Sequence, residues 1–133
     1  MACFLTLACS VAQVRSPQAF IDGSNCNSMD WYEMGRRDGS QGRLANQIQD
    51  YAEQCKNAQT PPQVDLYLNG REAGLTDYCT SQNGFEAGRM GREYRHVCPE
   101  NLEAKFLSGY RRGLKLRSLE SQNLPASDSV LFR

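Results

Sequence analysis

Large aliphatic residues are scarce in this chain of 133 residues. Leu, Ile, Val and Phe together number 25, and only 14 of them fall between Cys26 and Leu119. A segment that poor in aliphatics is either disordered or held by covalent staples. Charge of one sign is missing too, since 15 Lys and Arg balance 15 Asp and Glu. That excludes the unbalanced field a nucleic-acid arm or a polybasic membrane face requires. No apolar run approaches the roughly 20 residues that span a bilayer. There is one histidine, His96, and no CxxC pair. A zinc site therefore lacks close ligand pairs, and a thioredoxin-like redox site lacks its motif. GxSxG, HExxH and a Walker loop are absent as well. No metal, cofactor or nucleic-acid partner is expected, and the chain reads as a non-enzyme.

What is present begins with MACFLTLACSVAQV at residues 1–14, an apolar stretch of small residues. It fits the h-region of a secretory signal, although a positively charged n-region is missing. The simplest explanation is a start site upstream of Met1. Leu5-Thr6-Leu7-Ala8-Cys9 matches a degenerate bacterial lipobox, in which Cys9 becomes the lipidated first residue. Plain secretion and an apolar cytoplasmic tail are the alternatives. Residues 10–25 carry Ser, Gln, Pro and Gly without helical period, as a tether does. The organisation expected is a truncated lipoprotein signal and tether at 1–25, a helical domain at 26–119 and a flexible tail at 120–133.

Setting aside Cys3 and Cys9, four cysteines remain: Cys26, Cys55, Cys79 and Cys98. An even number in an exported chain implies two disulfides. The glycines bear on how they pair. Eight of the 11 form GxxxG pairs: Gly35/Gly39, Gly70/Gly74, Gly84/Gly88 and Gly109/Gly113. Gly35, Gly39, Gly42 and Arg43 match Gly84, Gly88, Gly91 and Arg92, while Gly74-Leu75 matches Gly113-Leu114. An aromatic often stands three residues ahead, as in Tyr32/Gly35, Tyr67/Gly70 and Phe106/Gly109. Cysteine, GxxxGxxG, cysteine, GxxxGL is thus written twice, the second time shortened, which makes a duplicated domain rather than a solenoid. Four cysteines allow three connectivities. Equivalent copies close equivalent loops, which favours Cys26–Cys55 and Cys79–Cys98, whereas close packing of the halves favours a bridge between them.

Glycines four apart share one helix face and leave a flat groove. Each interior glycine costs about 1 kcal/mol relative to alanine, so close packing must offset it. In lipid GxxxG marks a membrane dimer, but Arg36, Arg37 and Asp38 inside the first pair place this one in water. Gly42 and Gly91 suit C′ caps. Helices are expected at about 29–39, capped by Asn27 or Ser28, and at about 44–56, with Leu44, Ile48 and Tyr51/Ala52 on one face. A third is expected at 63–78, with Leu66, Tyr67, Gly70, Gly74 and Tyr78 inward. A short one is expected near 84–90, and the last from Pro99 to about Leu119. No period-2 run of β-branched residues occurs. The fold expected is an all-α, disulfide-stapled domain of about four helices.

Asp30, Glu33 and Asp38 lie near Trp31 and Tyr32, and acids beside aromatic rings can hold sugars. Trp31, Tyr32, Asp38, Arg71 and Tyr94 form the candidate binding surface. A hydrolase acting on cell wall or glycan through paired carboxylates is the alternative to a binding or structural module. Arg111, Arg112, Lys115 and Arg117 complement a helix C-terminus or touch anionic headgroups.

The spaced residues Asp30-Trp31-Tyr32-x-x-Gly35-x-x-Asp38-Gly39-x-x-Gly42, Tyr67-x-x-Gly70-Arg71-x-x-Gly74-Leu75-x-x-Tyr78-Cys79, Asn83-Gly84-x-x-x-Gly88-x-x-Gly91-x-x-Tyr94-x-x-Val97-Cys98-Pro99 and Phe106-x-x-x-Tyr110-x-x-Gly113 resemble a known family. It is domain-of-unknown-function family 2799, small proteobacterial envelope lipoproteins of the YfiL-like kind. The resemblance covers about residues 26–117. It implies a Gram-negative envelope protein, usually lipidated, with no established activity. The apolar start and Cys9 point to a lipid anchor at the outer membrane, facing the periplasm, and the partner expected is an envelope protein or glycan.

Overall fold

The computed structural model describes residues 25–123; Cys9, the rest of the expected signal and tether up to residue 24, and residues 124–133 lie outside them. Among the described residues the fold is all-α, with no strand. A 3₁₀ turn at Cys26–Ser28 leads to α1 (Trp31–Ser40), α2 (Gln47–Gln54), α3 (Val64–Tyr78), α4 (Ser81–Arg89) and α5 (Glu100–Asn123). The N-cap of α1 is Asp30, whose side chain accepts from the Glu33 amide at 3.0 Å. Asn27 and Ser28, the expected caps, both fall within the 3₁₀ turn instead. Thr80 caps α4 in the same way, taking the Asn83 amide at 3.1 Å. The Pro99 carbonyl accepts the amides of Leu102 and Glu103 and so opens α5, which continues past Leu119 to Asn123.

The glycines explain the architecture. A Cβ built on Gly35 would fall on the carbonyl oxygen of Tyr67, and one on Gly70 would fall on that of Tyr32. Gly39 and Gly74 meet the carbonyls of Arg71 and Arg36 in the same reciprocal way. Thus the carbonyl three residues ahead of each glycine lies against the opposing glycine, and α1 and α3 run parallel, backbone on backbone. The second pair repeats the rule: Gly84 and Gly109 meet the carbonyls of Phe106 and Ser81, while Gly88 and Gly113 meet those of Tyr110 and Phe85. Such contacts support Cα–H···O interactions between helices, and they explain why eight glycines are placed where any other side chain would part the helices.

Parallel helices need a return crossover. In the first copy α2 supplies it, and in the second the segment between α4 and α5 does. Each crossover is pinned by a disulfide: Cys26–Cys55 in the first copy and Cys79–Cys98 in the second. This is the pairing that the duplicated unit favours. Each bond lies in its own apolar cluster. One gathers Trp31, Met34, Ile48, Tyr51 and Tyr67 around Cys26–Cys55. The other gathers Leu75, Ala87, Val97 and Phe106 around Cys79–Cys98. Two small cores divide the few aliphatics, and neither matches an ordinary domain core, so the disulfides carry weight that side-chain burial does not.

The two C′ glycines are alike. Gly42 and Gly91 have φ of 67° and 68°, left-handed values that only glycine adopts without strain. In both, the glycine amide and the amide of the following arginine close a Schellman motif: Gly42 to Gly39 at 2.9 Å and Arg43 to Asp38 at 2.9 Å, then Gly91 to Gly88 at 3.0 Å and Arg92 to Ala87 at 2.9 Å. The Tyr78 ring lies over Gly42 and the Arg117 guanidinium over Gly91, each eight residues beyond the first glycine of the partner helix. Two expected inward residues are corrected. Leu66 is exposed, because Tyr67 and not Leu66 continues the glycine line of α3. Leu44 is exposed in the turn ahead of α2.

Candidate functional site

Asp38 sits on α1 and is only 2% exposed. Its Oδ2 accepts the hydroxyls of Tyr51 from α2 and Tyr67 from α3, both at 2.8 Å. The Nε of Arg43 lies 3.6 Å from Oδ1. Burial, reinforced by the carboxylate, pushes the Tyr51 phenol up to about 12. The Tyr67 phenol is raised by the same causes. Both therefore stay protonated and donate. The arrangement ties three helices to one buried acid. The carboxylate is sealed from solvent rather than presented on a surface. A lone acid between two glycines reads in sequence as solvated, because its acceptor role depends on hydroxyls 13 and 29 residues away.

The other candidate surface residues scatter. Trp31 is buried at 2% exposure beside Tyr51, their ring centroids 6.4 Å apart; the first core has few aliphatics and takes its largest ring inside. Tyr32 is exposed on the outer side of α1. Arg71 is half-buried, and its Nε donates to the Arg43 carbonyl at 2.9 Å, tying α3 to the turn after α1. Tyr94 is half-buried against Phe106, with ring centroids 4.8 Å apart. Its hydroxyl donates to Glu103 at 3.1 Å and accepts the Cys98 amide at 3.2 Å. Trp31, Asp38 and Arg71 thus gather in the first copy through Tyr51 and Arg43, while Tyr94 packs against the second core. The acids weighed for hydrolysis are also engaged: Asp30 caps α1, Glu33 pairs with Arg36 at 2.9 Å, and Asp38 is sealed.

His96 has φ of 52°, a left-handed value. Its Nδ1 lies 3.1 Å from Glu103 Oε1, and its ring centroid lies 4.8 Å from that of Tyr94. The hydrogen bonds with His96 and then Tyr94 hold the Glu103 carboxyl below the usual range. The group fastens the second crossover to α5, a role its place two residues before Cys98 suggests. Among the described residues no three His, Cys, Asp or Glu side chains are placed to hold a metal ion.

A concave site lies where the copies meet, and the linear pattern does not show it. It is a cleft of about 330 Å³. The first copy contributes Ser40 and Gln41 at the end of α1, with Tyr78 at the end of α3. The second contributes Asn83, Glu86 and Ala87 from α4, and Arg92 from the turn after it. The Tyr78 ring forms the wall: it covers Gly42 and stacks on Phe106 with centroids 5.3 Å apart. Arg95 bridges the copies by donating to the Gly42 carbonyl at 3.4 Å. The only sequence signal for the cleft is the duplication itself, since two copies joined end to end must have a seam.

A family model described as protein of unknown function (DUF2799) matches residues 30–115. The chain belongs to that family. The DUF2799 match spans both GxxxG helix pairs and the Schellman turns, from the Asp30 cap through most of α5, so the duplicated unit lies within the family domain. No curated protein and no solved structure matches the chain.

Proposed function

We propose that this DUF2799 protein is a lipid-anchored component of the Gram-negative cell envelope, held at the periplasmic face of the outer membrane through Cys9, and that it acts as a non-catalytic binding or structural module. The observation that carries the reading is the pair of disulfides, one inside each small core. Disulfides persist in oxidising compartments, and a fold whose halves each depend on one belongs outside the cytosol. The lipobox-like Leu5-Thr6-Leu7-Ala8-Cys9 supports lipid attachment. Among the described residues no helix is long and apolar enough to cross a membrane.

The test is metabolic labelling with radioactive palmitate, in a Gram-negative host, of the full chain preceded by a basic n-region. Label in the wild-type protein and its loss in Cys9→Ala, with the wild type recovered in outer-membrane fractions, is the expected result. An unlabelled protein with free thiols at Cys26, Cys55, Cys79 and Cys98 would sink the proposal.

A further inference from the structure

We propose that the cleft between the two copies binds an acidic sugar, a ring bearing one carboxylate and several hydroxyls, with Arg92 as the anchor of the carboxylate. The proposal rests on the reading of the chain as a binding module and names its ligand class.

The duplication supplies the argument. Arg43 and Arg92 are the same residue of the two Schellman turns. In the first copy the Arg43 Nε donates to Gln41 Oε1 at 3.1 Å and lies 3.6 Å from Asp38 Oδ1. The residues at those two places in the second copy are Met90 and Ala87. Ala87 offers no acceptor, and Met90 only a weak thioether one. The guanidinium is kept while both of its partners are gone, and among the described residues the Arg92 side chain makes no hydrogen bond or ion pair. It stands on the wall of the cleft. A planar guanidinium with its fork unengaged is matched best by a carboxylate or similar oxyanion, bound through two parallel hydrogen bonds.

The rest of the lining selects the body of the ligand. The Asn83 Nδ2 is spent on the carbonyls of Asp77 and Tyr78, both at 3.0 Å, which leaves its Oδ1 to accept. The Ser40 hydroxyl donates to the Arg37 carbonyl at 2.8 Å and keeps its oxygen lone pairs. Glu86 gives Oε2 to Arg89, while Oε1 receives only Gln82 at 3.4 Å. Three acceptors thus face a space with one guanidinium, and Gln41 adds amide donors. Hydroxyl groups satisfy such acceptors, and a second carboxylate would be repelled by Glu86. The volume of about 330 Å³ is near the small end for ligand sites and suits a single ring, either free or at the end of a strand.

The experiment is calorimetric titration of the full, oxidised chain with glucuronic acid, with glucose as its neutral counterpart, and with a disaccharide ending in a uronic acid. Saturable binding of glucuronic acid is expected, with glucose weaker by at least about ten-fold, the worth of one charged hydrogen-bonded pair. Arg92→Gln should lower glucuronic acid affinity by a similar factor. Met90→Gln, at an exposed position, restores the kind of partner Arg43 has and should weaken binding several-fold without touching the core. Lys115→Gln on the outer face of α5 should change nothing. Tighter binding of the disaccharide assigns strand ends, and equal or weaker binding assigns the free sugar. Glucose bound as well as the acid, no binding of either acid, or Arg92→Gln binding like the wild type overturns the proposal. Because the anchor plays no part in the titration, failure of palmitate labelling leaves this result standing, and the reverse holds too.

Discussion

Asp38 accepts the Tyr67 hydroxyl at 2.8 Å inside the first helix pair, and the second pair carries Ala87 and Phe106 at the same two places. Acid and phenol are lost together. Had only one changed, the second core would hold either a buried carboxylate without its donor or a buried hydroxyl without its acceptor, and either costs more than the pair contributes. The two copies share one backbone plan and differ in how they satisfy their interiors. The first uses a polar knot under Trp31. The second uses stacked rings, with Phe106 between Tyr78 and Tyr94.

Asp38→Ala should lower stability by roughly 2–4 kcal/mol, because two buried hydroxyls lose their acceptor. Adding Tyr51→Phe and Tyr67→Phe should restore a large part of the loss, since the first copy then approaches the interior of the second. Urea unfolding of the single and triple variants measures both. A triple variant less stable than Asp38→Ala alone would contradict the account.

Gly70→Ala should destabilise by about 1–3 kcal/mol or more, as its methyl meets the Tyr32 carbonyl rather than a side chain that can move. Gly109→Ala should do the same in the second copy against Ser81. At a merely flexible position the change would instead stabilise by a few tenths to 1 kcal/mol. Ser108→Ala, at an exposed place on α5, serves as the control and should stay within about 0.5 kcal/mol of wild type.

Replacing Cys26 and Cys55 by Ser should cost about 3 kcal/mol, the chain-entropy value for a loop of this size. The same holds for Cys79 and Cys98. Because each bond sits in its own cluster, the loss should be local. Hydrogen exchange of the first variant is expected to show protection falling in α1 and α2 more than in α4 and α5, with the converse in the second. Equal loss across both pairs would mean that the seam couples the copies tightly.

The phenols set an alkaline limit. The folded-state value of Tyr51 lies above its ordinary 10, at about 12, and Tyr67 is shifted in the same direction. Folding therefore favours the protonated phenol. Its contribution is complete below pH 10 and is lost as pH rises from 10 through about 12. Stability followed by urea unfolding should decline over that window. The phenolate absorbance of the six tyrosines should include a late stage from buried Tyr51. Tyr51→Phe should reduce the late stage. A single early stage with unchanged stability would refute the buried network.

Much of the fold is legible in the residues. Glycines spaced by four marked the faces that meet, and Gly42 and Gly91 marked the helix ends. The repetition of the cysteine order favoured the pairing found. These signals are local, and each rests on one or two residues whose backbone chemistry leaves little choice. The surface was not legible in the same way. Trp31 and Asp38 stand two turns apart on α1, an aromatic ring and an acid that could hold a sugar, yet both are buried.

Sequence alone determined the helical class, the four close-contact faces and the need for covalent staples, because helix periodicity, the missing glycine side chain and the count of aliphatics act within a few residues. The tertiary structure decided that α1 lies parallel to α3 and α4 to α5, that Asp38 serves two tyrosines, and that among the described residues the Arg92 side chain makes no hydrogen bond or ion pair. A buried acid is tolerable only where distant hydroxyls reach it, and a guanidinium stays unpaired only where no acceptor side chain comes within reach of it. Both conditions are set by distances between chain segments, which no spacing along the sequence states.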